Sequence, residues 1–418
     1  KEVDWQTALE YVANGLRNIQ RDHGANSIGA LVSPHSTVEE LYLAGALMRG
    51  LGSDNIDYRL RNAEFGAAEG VRTLGTSIAS LSTLQRVLVV GSNLRKDHPL
   101  FALRVRHAVR YGAQLNVITS PAAFSHADAW AMPVANSVVT DAFAWAQTLA
   151  DLAVAIAAEK GVPAPCAGTA SAAVQAMAKS LLGGERKALL LGNAAAHHGN
   201  ASTLLALANW IGEQTGASVG YLTEAANTVG AQWVGAQPQT GGKHAGQMLA
   251  GGLKAAVLLN NEPEFDSAAG AAAAKALGQA EMVVTLSPFK ANMAFSDVLL
   301  PIAPFTETSG SFVNAEGRLQ SFHAVVKPLA ETRPAWKVLR VLANLLDIPG
   351  VSFETSQDVL ARATAQPLVA SSATRSAINL SGTTTPAPSV ASIYQLDGIV
   401  RRAPSLQLTA DARQEVTP

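Results

Sequence analysis

Apolar positions along the chain switch repeatedly between two spacings. Trp5, Leu9, Val12, Leu16 and Ile19 recur at helical intervals, with Asp4 as a cap before them and Gly24 as a stop after them. Ile28 to Val32 is a continuous apolar run of strand length. Thr37-x-x-Glu40 then predicts a capping box opening a helix that ends near Gly50 or Gly52. Arg86 to Val90 predicts a strand closed by Gly91, and Pro99 opens a helix that stops at Gly112 before a strand from Leu115 to Thr119. The same alternation returns further on. Ala188 to Leu191 predicts a strand, Ser202 caps a helix carrying Leu204, Leu205, Leu207, Trp210 and Ile211, and Gly216 ends it. Further strands are expected at Ala255 to Leu259, Met282 to Leu286 and Val298 to Leu300, with a helix over Ser267–Ala276 between the first two. Continuous apolar strands alternating with helices predict an α/β fold of mainly parallel sheets covered on both faces by helices. Gly161 to Gly184 reads as a connection between lobes, and Pro367 to Ser392 as the most linker-like stretch.

Composition narrows the function classes. The 418 residues are too many for one small core, and the 48% hydrophobic content is ample for burial. Lys and Arg number 31 against 32 Asp and Glu, so nothing suggests a nucleic-acid surface. No apolar run reaches the ~20 residues of a membrane span. The single cysteine, Cys166, leaves no room for a disulfide framework or for an iron–sulfur cluster held by four thiolates of this chain. A start at Lys1 and an end at Pro418 are expected of a fragment of something larger.

Several motifs fail on inspection. Gly241-Gly242-Lys243 has Gln237 where a phosphate loop needs its first glycine and His244 where it needs Ser or Thr, so it reads as a turn. The stretch from Gly75 to Ala79 lacks the closing glycine of a nucleophile elbow. Ser287-x-x-Lys290 and Ser53-Asp54-Asn55 stand in the wrong order for a penicillin-recognising enzyme. His197-His198 is a pair without metal-ligand spacing, and Cys166 has no histidine partner in sequence. The signal that rises is at strand ends: Gly91, Ser92 and Asn93, then Gly192 and Asn193, then Asn260, Asn261 and Glu262 each follow an apolar strand. The carboxyl edge of an open parallel sheet is where ligands sit, although glycine and asparagine also simply end strands.

Longer segments add a resemblance. Val90-Gly-Ser-Asn-Leu-Arg-Lys-Asp-His-Pro99, Asn261-Glu-Pro263, Asp297-Val-Leu-Leu-Pro301 and Glu307-Thr-Ser-Gly-Ser-Phe-Val-Asn-Ala-Glu-Gly-Arg318 resemble the molybdopterin oxidoreductase family, in its order. Asp54-Asn-Ile-Asp-Tyr-Arg-Leu-Arg61 and Ile393-Tyr-Gln-Leu-Asp-Gly-Ile-Val-Arg-Arg402 resemble one branch of it, the iron–sulfur subunit of bacterial NADH-quinone oxidoreductase, respiratory complex I. The resemblance implies two interleaved lobes of the formate dehydrogenase and DMSO reductase type: 1–65 with 185–350, then 66–184, with 351–418 a linker and tail leading to a further domain. It implies a scaffold region supporting electron transfer from NADH to quinone, with no catalytic residue, no metal and no cofactor of its own. Iron–sulfur clusters would lie in modules preceding this region. Partners would be other peripheral-arm subunits, with no nucleic acid and no direct membrane span, on the cytoplasmic side of the bacterial inner membrane. A vestigial cofactor pocket would be lined by Gly91, Asn93, Gly192, Asn193, Asn261, Glu262 and Asn314. In the same alignment the metal-ligating cysteine or selenocysteine of formate dehydrogenases falls at Ala63, their catalytic histidine at Glu64, and the preceding arginine at Arg61. Glu64 as a replacement ligand, a working molybdopterin oxidoreductase and a standalone nucleotide-binding protein are the rival readings.

Overall fold

Two five-stranded sheets, every pairing in them parallel, organise the chain. The computed structural model describes residues 1–66, 70–121, 130–371, 377–380 and 391–413. The strands are β1 (Ile28–Val32), β2 (Ile56–Asp57), β3 (Arg86–Val90), β4 (Gln114–Thr119), β5 (Asn136–Val139), β6 (Lys187–Leu191), β7 (Ser218–Tyr221), β8 (Ala255–Leu259), β9 (Met282–Ser287), β10 (Val298–Pro301), β11 (Gly310–Val313) and β12 (Leu319–Phe322). The longer helices are α1 (Trp5–His23), α2 (Val38–Gly50), α3 (Pro99–Arg110), α4 (Trp145–Lys160), α5 (Ala172–Leu182), α6 (Ala201–Thr215), α7 (Ala335–Leu345) and α8 (Ser356–Ala363).

Unit 1 comprises Lys1–Arg61, Ala225–Val369 and Gln395–Arg402. Its sheet runs β10-β9-β8-β1-β2, so β8 leads outward to β9 and β10 while β1 leads the other way to β2. β1 is buried at all five positions, as a central parallel strand must be, and its fully apolar sequence follows from having no solvent face. Helix α1 starts where the Asp4 carboxylate accepts the Thr7 N–H at 2.8 Å, and it buries Leu9, Val12 and Leu16 against the sheet and α7. Each of those side chains contributes about 2 kcal/mol by leaving water. Thr37 and Glu40 form the reciprocal capping box of α2. The antiparallel hairpin β11–β12 also lies in this unit.

Unit 2 comprises Asn62–Glu224, Ala370–Tyr394 and Ala403–Pro418. Its sheet runs β5-β4-β3-β6-β7, again with its direction reversing at the centre, between β3 and β6. Leu88, Val90, Leu189 and Leu191 meet α4, α5 and α6 in a separate apolar core. The alanines of α4 let α5 and α6 approach closely on either side.

Several expectations need correction. The boundary at 184 is displaced to Glu224, because β6 pairs with β3 residue for residue from Arg86↔Lys187 to Val90↔Leu191 and carries β7 with it. Gly161 to Gly184 is no bare connection: it contains α5, whose Val174, Met177 and Leu181 are core residues, and the Cys166 side chain packs there too. Residues 351–418 are not one tail, since Val351 and Val359 belong to the unit 1 core. Most of the linker expected from Pro367 to Ser392 lies outside the described residues, but Ile378 and Leu380 pack on the unit 2 core. The helix expected over Ser267–Ala276 is shorter, Ala271–Leu277, starting after Gly270 at φ +55°, and a separate one-turn helix, Pro263–Asp266, precedes it. The Gly241-Gly242-Lys243 turn is fixed by side-chain oxygens rather than open to phosphate: Asp54 Oδ2 accepts the Gln239 and Thr240 N–H groups at 2.6 Å each, and Asn55 Oδ1 accepts that of Lys243 at 2.7 Å. Among the described residues, no helix is long and apolar enough to cross a membrane.

Candidate functional site

Each sheet has one place where its strand order reverses, and at each the chain leaves two neighbouring strands in opposite directions, opening a crevice at the carboxyl edge. In unit 1 these strands are β1 and β8. Asn260 takes a left-handed conformation (φ +53°), which asparagine tolerates, and its Nδ2 donates to Ser36 Oγ at 3.0 Å. The Asn261 side chain lies between the strand ends, donating to the Leu31 and Leu259 carbonyls at 2.6 and 3.1 Å. Its Oδ1 is buried with no partner among the described residues. The N-terminus of α2, where a phosphate would dock in such a fold, is already met by two carboxylates. Glu39 accepts the Ser311 N–H and hydroxyl at 2.9 Å each, and Glu40 accepts the Thr37 N–H at 2.9 Å. Burial raises both carboxyls, that of Glu40 to about 7. The two acids occupy the place that a phosphate would take.

In unit 2 the strands are β3 and β6. The loops after them are stitched together: the Gly192 N–H donates to the Val90 carbonyl at 2.8 Å and the Ala194 N–H to the Gly91 carbonyl at 3.0 Å. A Cβ on Gly192 would fall 2.3 Å from Ser92 Cβ and 2.5 Å from the Gly91 oxygen, and one on Gly91, at φ +65°, 2.7 Å from the Ala195 nitrogen. Glycine is therefore required for loop-on-loop packing. Asn93 accepts from Lys96 N at 3.4 Å as the cap of a one-turn helix, while Asp97 Oδ2 accepts the Ser92 hydroxyl at 3.0 Å and the Asn93 N–H at 2.9 Å. Around these loops stand buried polar atoms without a partner among the described residues: Thr119 Oγ1, Trp145 Nε1, Asn193 Oδ1, Tyr221 OH and His98 Nδ1. Burial lowers the His98 pKa, so the ring is neutral; Nε2–H donates to the Thr223 carbonyl at 2.9 Å, which leaves Nδ1 as an acceptor. Burial likewise pushes the Tyr221 hydroxyl up and keeps it a phenol. These groups are uncharged donors and acceptors, suited to the edge of a planar heterocycle rather than to phosphate.

The loop after β2 reaches unit 2 at Asn62. The Ala63 N–H donates to the His197 carbonyl at 3.1 Å. The Glu64 carboxylate then binds the first turn of α6, taking the Ser202 N–H at 2.8 Å on one oxygen and the Ser202 hydroxyl at 2.5 Å on the other. Ser202 is therefore not the cap that its sequence context suggests; it is the second residue of the helix, and Glu64, 138 residues earlier, does the capping. His197 Nε2 pairs with Glu224 at 2.6 Å, and His198 Nε2 with the Ala142 carbonyl at 3.0 Å, so the two histidines face different partners. Among the described residues, no three His, Cys, Asp or Glu side chains come together as a metal site would need.

The expected pocket residues thus fall in two groups. Gly91, Asn93, Gly192 and Asn193 meet at the unit 2 crevice. Asn261 marks that of unit 1. Glu262 is engaged by Arg401 and Arg402, and Asn314 lies elsewhere: its Oδ1 accepts the Glu316 and Arg318 N–H groups in the turn between β11 and β12. Sequence reasoning missed Thr119, Trp145, Tyr221 and His98, which only the folded sheet assembles.

A family model for molybdopterin oxidoreductases matches residues 1–345. The chain belongs to the molybdopterin oxidoreductase family. It is similar to the NADPH-Fe(3+) oxidoreductase subunit alpha of Geobacter sulfurreducens, 26% identical over 83% of this chain and 48% of that protein. A putative formate dehydrogenase of Staphylococcus aureus is 26% identical over 82% of this chain and 42% of that protein. The chain thus spans about half the length of the curated relatives it matches. Its fold is similar to that of acetylene hydratase from Pelobacter acetylenicus (TM-score 0.56, 14% identity, 88% of this chain and 62% of that one). It is also similar to a chain of the formyltransferase/hydrolase complex of Methylorubrum extorquens (TM-score 0.59, 19% identity, 84% and 98%). The α/β fold with parallel sheets is that of this family.

The cofactor that the family name implies can be tested against the residues present. At 62–65 the chain offers Asn62, Ala63, Glu64 and Phe65. A methyl group donates nothing to a metal, and both oxygens of Glu64 are engaged by Ser202. This loop does not fit a metal ligand set, which in this chemistry is soft or anionic and free to coordinate. The uncharged groups of the unit 2 crevice do fit the organic, heterocyclic part of such a cofactor.

Proposed function

We propose that this chain is a scaffold domain of a multi-subunit oxidoreductase, namely the molybdopterin oxidoreductase-like region of the iron–sulfur subunit of bacterial NADH-quinone oxidoreductase. In this reading electrons travel from NADH to quinone through iron–sulfur clusters carried elsewhere, on the cytoplasmic side of the inner membrane. This region shapes and supports the peripheral arm and its neighbouring subunits. The single observation that carries the reading is the Glu64 latch: the loop aligned with the family's metal-binding loop has spent its one ionisable side chain on the N-terminus of α6. Arg61 is likewise used structurally, donating to the Phe265 carbonyl.

A second reading is a working molybdopterin oxidoreductase. The names of the curated relatives favour it, as do the unpartnered polar groups of the unit 2 crevice. Glu64→Ala in the intact assembly separates the two. The scaffold reading expects less assembled complex but an unchanged rate of NADH-dependent quinone reduction per complex. Molybdenum-dependent oxidation of formate by the wild-type assembly, lost in Glu64→Ala while the assembly stays intact, would support the second reading.

A further inference from the structure

The tail of the chain returns to unit 1 at Gln395–Arg402, and two adjacent arginines anchor it there. The Arg401 guanidinium spans two carboxylates, 2.8 Å from Glu262 Oε1 and 3.0 Å from Asp266 Oδ1, and lies 4.8 Å from the centre of the Phe265 ring. Arg402 binds both oxygens of Glu262, at 2.7 and 3.0 Å, and lies 4.2 Å from the centre of the Phe289 ring. Each guanidinium therefore has a carboxylate partner and an aromatic face against it, the two contacts that distinguish arginine from lysine.

Both sides are prepared for this meeting. On the receiving side, the Glu262 N–H donates to Asp266 Oδ2 at 2.7 Å across the short helix Pro263–Asp266, which fixes the spacing of the two acids. On the entering side, Asp397 Oδ1 accepts the Ile399 and Val400 N–H groups at 2.8 and 2.9 Å, shaping one helical turn that ends in the arginines. That turn lies against Phe289 at Gly398, where an added Cβ would stand at ordinary contact distance, 3.4 Å, from the ring. The side chains of Arg401, Glu262 and Asp266 are 14%, 12% and 13% exposed, so these three form a largely desolvated cluster rather than a surface ion pair, with Arg402, at 35%, on its rim. Burial by itself pushes the Glu262 carboxyl up, but the hydrogen bonds from Arg402 and Arg401 outweigh it and hold the group below its ordinary value.

We propose that Glu262, Asp266, Phe265 and Phe289 form a receptor for a pair of adjacent arginines at the carboxyl end of β8, and that Gln395–Arg402 is the ligand it holds, a strap bound to unit 1. A polar and aromatic clasp, not an apolar one, holds the strap: Ile399 stays 49% exposed. The strap also explains why Glu262 is not free for a cofactor. Nothing in this inference depends on the scaffold reading.

Trypsin reads the clasp directly, because it must take an arginine side chain into its own pocket. The full chain is digested briefly, and cleavage after Arg401 and after Arg402 is followed by mass spectrometry. Glu262→Gln removes the charge shared by both arginines and is expected to raise cleavage at these bonds at least about tenfold, in proportion to the population of the open strap. Arg401→Lys with Arg402→Lys keeps the sites cleavable and the charge present but loses the fork and the ring contact, so cleavage is expected to rise here too. That variant also serves if the Glu262 variant does not fold, as judged by circular dichroism. Wild-type cleavage as fast as in either folded variant would overturn the proposal.

Discussion

The carboxyl ends of the two sheets make an instructive pair, because the frames beneath them are alike and the balance of chemistry laid on them differs. Both frames are five parallel strands with one reversal of order. In unit 1 the crevice is ringed by carboxylates that already have partners: Glu39 holds the β11 strand through Ser311, Glu40 holds the start of its own helix, and Glu262 holds the strap. In unit 2 the corresponding place holds one acid, Asp97, spent on Ser92 and Asn93, and beside it Thr119, Trp145, Asn193, Tyr221 and His98 keep donor or acceptor capacity that no described residue uses. The hydrogen-bond acceptor that an open α/β sheet would take at a helix N-terminus is thus supplied in unit 1 by the protein's own acids. Glu64 does the same at α6 of unit 2, leaving only the neutral part of that crevice unmatched. A shared fold therefore predicts where a site can be, not whether it still receives a ligand.

The contrast breaks first, and most visibly, in its dependence on pH. Glu40 is buried, and its carboxyl is raised from 4.5 to about 7. As pH rises from 4.5 towards 7 the unfolded chain gives up this proton while the folded chain retains it, so folding stability falls across that window. The full effect is on the order of 3 kcal/mol. Glu40→Gln keeps an acceptor for the Thr37 N–H and removes the charge. Denaturant titrations at about pH 5 and about pH 8, on either side of the raised value, are expected to show the loss in the wild type and a markedly smaller one in the variant. Equal losses in both would mean that Glu40 is not the buried acid described here.

The smallest expected effect belongs to unit 2. Thr119→Val exchanges a hydroxyl that has no described partner for a methyl of nearly the same size. Without a ligand this is expected to leave stability unchanged or raise it by up to about 1 kcal/mol, since a buried unmade hydrogen bond is relieved. A loss of more than about 1 kcal/mol would show that the hydroxyl is bonded after all, and the contrast between the two crevices would shrink accordingly.

How much of this is legible in the sequence follows from the physics of each element. β1, β3, β6, β8 and β9 can be read because central parallel strands are apolar throughout, and α1 and α2 because Asp4 and the Thr37–Glu40 box are local signals. β7 cannot, since Ser-Val-Gly-Tyr lacks an apolar run. Gly220 is there because the Leu74 carbonyl passes so close that a Cβ would lie 1.8 Å from its oxygen. The two-residue β2 and the hairpin β11–β12 are too short or too polar to stand out. The unit boundary is hidden because sheet pairing, not sequence order, assigns β6 to β3. The strand-end glycines and asparagines do mark both crevices. The polar groups around them cannot be foreseen, as several come from β4, β7 and α4, and the partners of Glu64 and Glu262 lie 138 to 140 residues away.

The central claim is that the loop from Asn62 to Phe65 is a structural joint and not a metal site. Molybdenum and tungsten content per chain, measured by inductively coupled plasma mass spectrometry on protein from molybdate-supplemented cells, tests it most directly. The account predicts only trace metal, unchanged by Glu64→Ala; near-stoichiometric molybdenum or tungsten that is lost in that variant would contradict it.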